Sequence, residues 1–230
     1  MHPTQLPPVI QEQVLARHGA LHRFRDLDPA RCALVIIDMQ RMFCAPGAQL
    51  EVPMARAIVP AINHMAAAMR AAGGTVVWVR SAFPPGPRDW HVMFDGVMPA
   101  GFGAGVRDGL QHGNPLYDLF DGLTPEPGDL AVDKDRFSAF FPGASALPAI
   151  LRARGIDTVL IAGTLTNICC ESSARDAAMD NFRVVMLADA NAARSDEDHV
   201  AALSTVARSF GDVQQIGEAI GYLSARTTAR

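Results

Sequence analysis

The chain has 230 residues, 49% of them hydrophobic, and a formal net charge of −4. That length suits a single domain, and no stretch reaches the roughly 20 uninterrupted apolar residues of a membrane-spanning helix. The basic residues are scattered, so no patch for nucleic acid or an anionic membrane is expected, and small molecules are the expected partners. Four cysteines, Cys32, Cys44, Cys169 and Cys170, are too few and too irregular for a disulfide framework. Residues 1–28 mix charged side chains with Pro3, Pro7 and Pro8 and lack the apolar core of a secretory signal. They read as an arm leading into a domain over 29–230 of a cytoplasmic protein. Of the 20 basic residues only Lys134 is a lysine. Lysine can lose its proton when desolvated and arginine effectively cannot. A lone lysine therefore marks a position that a guanidinium would not serve, the alternative being a surface residue left by chance.

Ala33 to Asp38 is a continuous apolar run ending in a carboxylate, the pattern of a buried parallel strand. A helix over Val59 to Ala72 follows, stopped by Gly73 and Gly74, then a strand over Thr75 to Val79. Arg80 to Gly128 is rich in Gly and Pro with isolated aromatics and reads as an ordered lid around a pocket. A strand over Asp129 to Val132 leads to Lys134. The periodicity then predicts a helix over Ala146 to Arg154, a strand over Thr158 to Ala162, a helix over Cys169 to Asn181 and a strand over Arg183 to Leu187. A helix over Asp196 to Phe210, a short strand near Val213 and a helix over Gly217 to Leu223 end the series. Alternation of this kind predicts a doubly wound α/β fold: a mostly parallel sheet of about six strands between two helical layers, a Rossmann-like three-layer sandwich.

In such sheets ligands bind beyond the carboxyl ends of the strands. That rule selects Asp38, Lys134 and, through a short turn, Cys169. A cysteine at a helix N-terminus meets unpaired amides and a favourable dipole, so a stabilised thiolate is expected there, and the same amides could hold an oxyanion. Asp38 is suited to take the thiol proton and return it to a leaving nitrogen, with Lys134 holding both in register. Taken singly, Asp38 could be a loop cap and Cys169 a small buried residue. Cys170 lies about 100° further round the helix and should face the core.

Three separated segments resemble the isochorismatase-like cysteine hydrolases, a family that includes nicotinamidases, N-carbamoylsarcosine amidohydrolase and ureidoacrylate amidohydrolase. They are Val35-Ile-Ile-Asp38-Met-Gln40 with Phe43, then Asp133-Lys134 with Arg136-Phe-Ser-Ala-Phe140, then Gly163-x-x-Thr166-x-x-Cys169 with Glu171 and Ala174-Arg-Asp176. The resemblance implies Asp38 as general acid and base, Lys134 as its electrostatic partner and Cys169 as the nucleophile of an acyl-enzyme. It also implies a cis peptide between Thr164 and Leu165, with the Leu165 and Cys169 amides as the oxyanion hole.

Nicotinamidases carry an Asp-x-His pair after the second strand for a metal. Here Asp89-Trp90-His91 has that spacing but sits well into the loop, so neither metal nor other cofactor is expected. The segments after Lys134 and around Cys169 look closest to the ureidoacrylate and carbamoyl-amide branch, which implies a small linear amide, ureido or carbamoyl substrate. Candidate substrate contacts are Gln40, Phe43, Arg80, Trp90, Phe137 and Phe140. Arg80, Arg88 and Trp90 suit a carboxylate or planar group, lid packing being the alternative. Two other readings stay open, a catalytically idle binding scaffold and a thiol redox protein using Cys169 and Cys170, although adjacent cysteines close only a strained ring. Trp90 to Phe102 crowds apolar side chains into a loop, which predicts cover by a neighbouring chain in a homodimer or homotetramer, or closure of its own pocket mouth.

Overall fold

The computed structural model describes residues 1–84, 86 and 89–227, the last four by backbone alone. Six strands form one sheet: β1 (Cys32–Ile37), β2 (Thr75–Ser81), β3 (Leu130–Lys134), β4 (Thr158–Thr164), β5 (Arg183–Ala192) and β6 (Asp212–Gln214). Their order is β3-β2-β1-β4-β5-β6 and every pairing is parallel. The chain winds outward from β1 to β3, returns to β4 beside β1, and winds outward the other way. The switch of direction falls between β1 and β4, where a crevice opens beyond the strand ends.

Helices are α1 (Pro8–His18), α2 (Arg41–Cys44), α3 (Val59–Ala71), α4 (Phe102–Gly109), α5 (Leu147–Ala153), α6 (Glu171–Met179), α7 (Asp196–Ser209) and α8 (Ile216–Thr227). β1 is buried along its whole length, and its period of two sorts it between both layers. Cys32, Leu34 and Ile36 join the core under α3 and α8, while Ala33, Val35 and Ile37 join the core under α5, α6 and α7. Each fully buried Leu or Ile contributes about 1.5–3 kcal/mol, so the middle of the sheet anchors the strand ends that carry the site.

Three elements differ from the sequence expectation. β5 runs to Ala192 instead of Leu187, because after a bulge it pairs with β4 again through Gly163↔Asn191 and Thr164↔Ala192. The Asn191 amide makes this possible by donating to the Ile161 and Leu187 carbonyls at 2.8 and 2.7 Å. The lid contains regular structure, a π-turn over Val92–Val97 and α4. Glycine disguised α4 in the sequence: a Cβ on Gly103 would lie 2.2 Å from the Phe94 carbonyl oxygen, so only glycine lets α4 pack on the π-turn. Within residues 1–28, α1 lies on α7 with Ile10 and Val14 buried. Among the described residues no helix is long and apolar enough to cross a membrane.

Candidate active site

The last residues of β1, β2, β3 and β4 bring the candidate groups to the crevice. Asp38 follows β1 at a φ of 53°, a left-handed conformation that costs a non-glycine residue about 1 kcal/mol or more. The bend is held from both sides: its N–H donates to the Val79 carbonyl at 2.9 Å, and its carbonyl accepts the Thr164 hydroxyl at 3.0 Å. Close approach of β4 completes the fit. Gly163 has a φ of 117°, and a Cβ there would meet the Ile37 carbonyl oxygen at 2.1 Å. The peptide between Thr164 and Leu165 is cis.

Lys134 ends β3 and its side chain has no solvent exposure, nor has that of Asp38. Its ammonium lies 2.8 Å from Asp38 Oδ2 and donates to Ser81 Oγ at 2.8 Å and to the Arg136 carbonyl at 3.1 Å. Three donors thus meet three acceptors. Ser81 ends β2 in register with Lys134, and its hydroxyl passes its own proton to Asp38 Oδ1 at 3.0 Å. Burial alone would lower the Lys134 pKa, but the charges of Asp38 and Cys169 prevail and hold it above the ordinary value.

Cys169 sits in a π-turn over Thr166–Cys170 that runs into α6, and not in the first turn of an α-helix as the sequence suggested. Such turns recur at functional sites because the widened backbone re-aims side chains. The thiol adjoins Asp38 and Lys134, and the charges of both act on it. The expected stabilised thiolate is not what these surroundings favour. Burial pushes the Cys169 pKa up, the Asp38 charge pushes it further, and the opposing pull of Lys134 does not compensate. These surroundings favour the thiol form of Cys169 beside the Asp38 carboxylate. Cys170 is fully buried among core residues, with its pKa well above the ordinary value.

Cys169 opens into a cavity of about 360 Å³, small for a ligand pocket. Its walls are mostly apolar, from Phe43, Phe94, Phe137 and the lid. Trp90 lines it too, its ring 4.8 Å from that of Phe137. Met93, Phe94, Val97, Met98 and Phe102 line this cavity, which accounts for most of the apolar crowding in the lid, although Val97 at its rim and Val92 outside it stay exposed. Three candidate contacts lie elsewhere. Gln40 is buried as a brace, accepting the Ser81 N–H at 2.8 Å and donating to the Ser81 and Tyr117 carbonyls. Arg80 pairs with Asp133 at 3.4 Å and stacks 4.5 Å over the Tyr117 ring, which leaves it tied outside the cavity. Phe140 packs on Phe182 in the core. Arg88 lies outside the described residues, and His91 is exposed.

Two functional candidates escaped the sequence reading. Ser81 joins Lys134 to Asp38, and Arg194 is, among the described residues, the one cation lining the cavity. Arg194 is exposed and has no ion pair or hydrogen bond among the described residues. It lies two residues past the end of β5, so the strand-end rule would have found it had β5 been given its full length.

Fold and site together define a doubly wound α/β enzyme, a hydrolase, with its reactive groups at the switch point of the sheet. Residues 32–218 match the model of the isochorismatase domain, and the chain belongs to that family. It is 33% identical over 204 residues to ureidoacrylate amidohydrolase RutB from Methylobacterium radiotolerans, covering 83% of this chain and 78% of the relative. A cysteine hydrolase from Pseudomonas syringae pv. phaseolicola superposes with a TM-score of 0.81 at 32% identity, covering 90% of this chain and 98% of the other. N-carbamoylsarcosine amidase from Thermoplasma acidophilum superposes with a TM-score of 0.65 at 28% identity, covering 81% and 96%.

Proposed function

We propose that this enzyme is a cysteine-dependent amidohydrolase that cleaves the carbon–nitrogen bond of a small linear amide, ureido or carbamoyl substrate bearing a carboxylate. One observation carries the reading: a buried Lys134–Ser81–Asp38 chain lies beside the Cys169 thiol, and Cys169 and Ser81 open into a small cavity. Because the thiol rests protonated, its proton passes to Asp38 as sulfur attacks the substrate carbonyl carbon. The oxyanion is stabilised by the Leu165 and Cys169 amides. As the carbon–nitrogen bond breaks, Asp38 returns the proton to the leaving nitrogen, which departs as ammonia or an amine. Water then attacks the thioester, giving one proton to Asp38, which restores the thiol. Lys134 keeps its charge throughout and stabilises whichever of carboxylate and thiolate is ionised. The apolar wall accepts the body of the substrate, and Arg194 meets its carboxylate. The carboxylate is also what the names of ureidoacrylate and N-carbamoylsarcosine share. Four free cysteines accord with work in the reducing cytoplasm.

The test is ammonia release from ureido acids, N-carbamoyl amino acids and plain carboxamides, with Cys169→Ala as control. The expected result is turnover by the wild type alone, fastest on substrates with a carboxylate. Saturable binding of these compounds without any release would overturn the reading in favour of an idle scaffold.

A further inference from the structure

Among residues 1–7 only His2 is buried. Its imidazole is held at the start of α7 by partners distant in sequence, Ala193 and Asp196. Nδ1 lies 2.6 Å from Asp196 Oδ1 and Nε2 lies 3.1 Å from the Ala193 backbone. The Asp196 carboxylate can only accept, so it fixes a proton on Nδ1, while Nε2 lies within reach of both the N–H and the carbonyl of Ala193. The ring stacks on His199, centroids 4.6 Å apart and planes at 17°. His199 Nδ1 in turn meets the Thr166 hydroxyl at 2.9 Å, and Thr166 opens the π-turn that carries Cys169. Burial, with the neighbouring His2, lowers the His199 pKa to about 4, so this link is neutral at working pH. One side chain therefore touches both edges of the pocket: the backbone one residue before Arg194, and through His199 the nucleophile turn.

Resting on the reading of Arg194 as the carboxylate anchor, we propose that His2 is a positioning residue for substrate recognition, clamping the Ala193–Arg194 edge against the Thr166 turn. Among the described residues Arg194 has no side-chain partner, so the backbone at Ala193, to which His2 is hydrogen-bonded, fixes where its side chain enters the pocket rim. The segment ahead of α1 thereby backs the rim of the active site from a part of the chain distant from every catalytic motif.

The experiment compares alkylation of Cys169 by anionic iodoacetate and neutral iodoacetamide, followed by mass spectrometry, and needs no turnover. The ratio of the two rates reports the cation at the rim, whereas loss of stability slows or speeds both alike. Arg194→Ala should lower the ratio about tenfold, equivalent to ~1.4 kcal/mol. His2→Phe, which keeps the stack and loses both nitrogens, should lower it similarly, and the double variant should fall no further than Arg194→Ala. His2→Gln should retain most of the ratio by offering an acceptor to Ala193, and His2→Ala replaces His2→Phe if the larger ring prevents folding. A normal ratio in His2→Phe with a lowered one in Arg194→Ala would overturn the role of His2 alone. An unchanged ratio in Arg194→Ala would overturn both it and the carboxylate anchor. Absence of ammonia release from every substrate, with these ratios as expected, would instead remove the hydrolytic reading and leave the clamp standing.

Discussion

Replacing Lys134 by methionine keeps the length of the side chain and removes its charge, which isolates the ion pair on which the site is built. Both partners are fully buried, and among the described residues the ammonium is the only cation paired with Asp38. Breaking a buried pair leaves an uncompensated charge and costs about 3–5 kcal/mol, whereas replacing both partners by neutral groups is often close to neutral. At roughly 2–4 °C per kcal/mol for a domain of this size, Lys134→Met should melt about 6–20 °C below the wild type. The double variant Asp38→Asn/Lys134→Met should recover most of that loss while remaining inactive, which separates stability from chemistry. The sign with pH follows from the raised Lys134 pKa: the stability it contributes is complete below the ordinary value of 10.5 and is lost as pH rises through the higher folded value. The gap between wild type and Lys134→Met should therefore be undiminished at neutral pH and close only in alkali. Scanning calorimetry across that range measures it. A single variant melting within about 2 °C of the wild type, or a double variant no more stable than the single, would refute the reasoning.

Other outcomes follow from the same geometry. Lys134→Arg should be nearly inactive although charge is kept, since a forked guanidinium cannot replace a compact ammonium whose three contacts are already filled; a near-normal kcat would contradict this. Cys169→Ser should abolish turnover and Cys170→Ala should preserve most of it, and comparable losses in steady-state assays would undo the assignment. Alkylation of Cys169 should keep accelerating as pH rises, without levelling near the ordinary thiol value of 9.0, because burial holds its pKa higher; a plateau at neutral pH in a stopped-flow profile would point to a resting thiolate. Dialysis against a chelator should leave activity intact, since among the described residues no cluster of three His, Cys, Asp or Glu side chains could hold a metal. Light scattering should return a dimer or tetramer with the exposed Val92 and Val97 covered, and a monomer mass at micromolar concentration would exclude it.

The sheet and the positions of Asp38, Lys134 and Cys169 at its carboxyl edge were legible because each closely follows or ends a strand written in local sequence. Ser81 was not, since serine is unremarkable at a strand end and its role arises only from the register that sets it between Lys134 and Asp38. Arg194 was lost with the second half of β5, whose Asp189 and Asn191 read as a loop until the Asn191 amide is seen to carry the bulge. Gln40, Arg80 and Phe140 have the right chemistry for a ligand, but each is engaged by the protein itself. The protonation of Cys169 was misjudged for a different reason: a helix N-terminus is visible in sequence, whereas the depth of burial that outweighs it is not.

The central place of β1 has a consequence for the newly made chain. This wholly apolar strand is synthesised before any of its partners, takes β2 on one edge soon afterwards, and waits for β4 on the other until Thr158 to Thr164 has been made. Throughout that interval its second row of N–H and C=O groups is an open template for any extended apolar segment, including β1 of another nascent copy. Yield of recovered protein should accordingly depend on how quickly the ribosome delivers the stretch between Ser81 and Thr158. Slowing translation there, by rare codons placed in the lid, should send more of the product into aggregates without altering one residue of the finished enzyme.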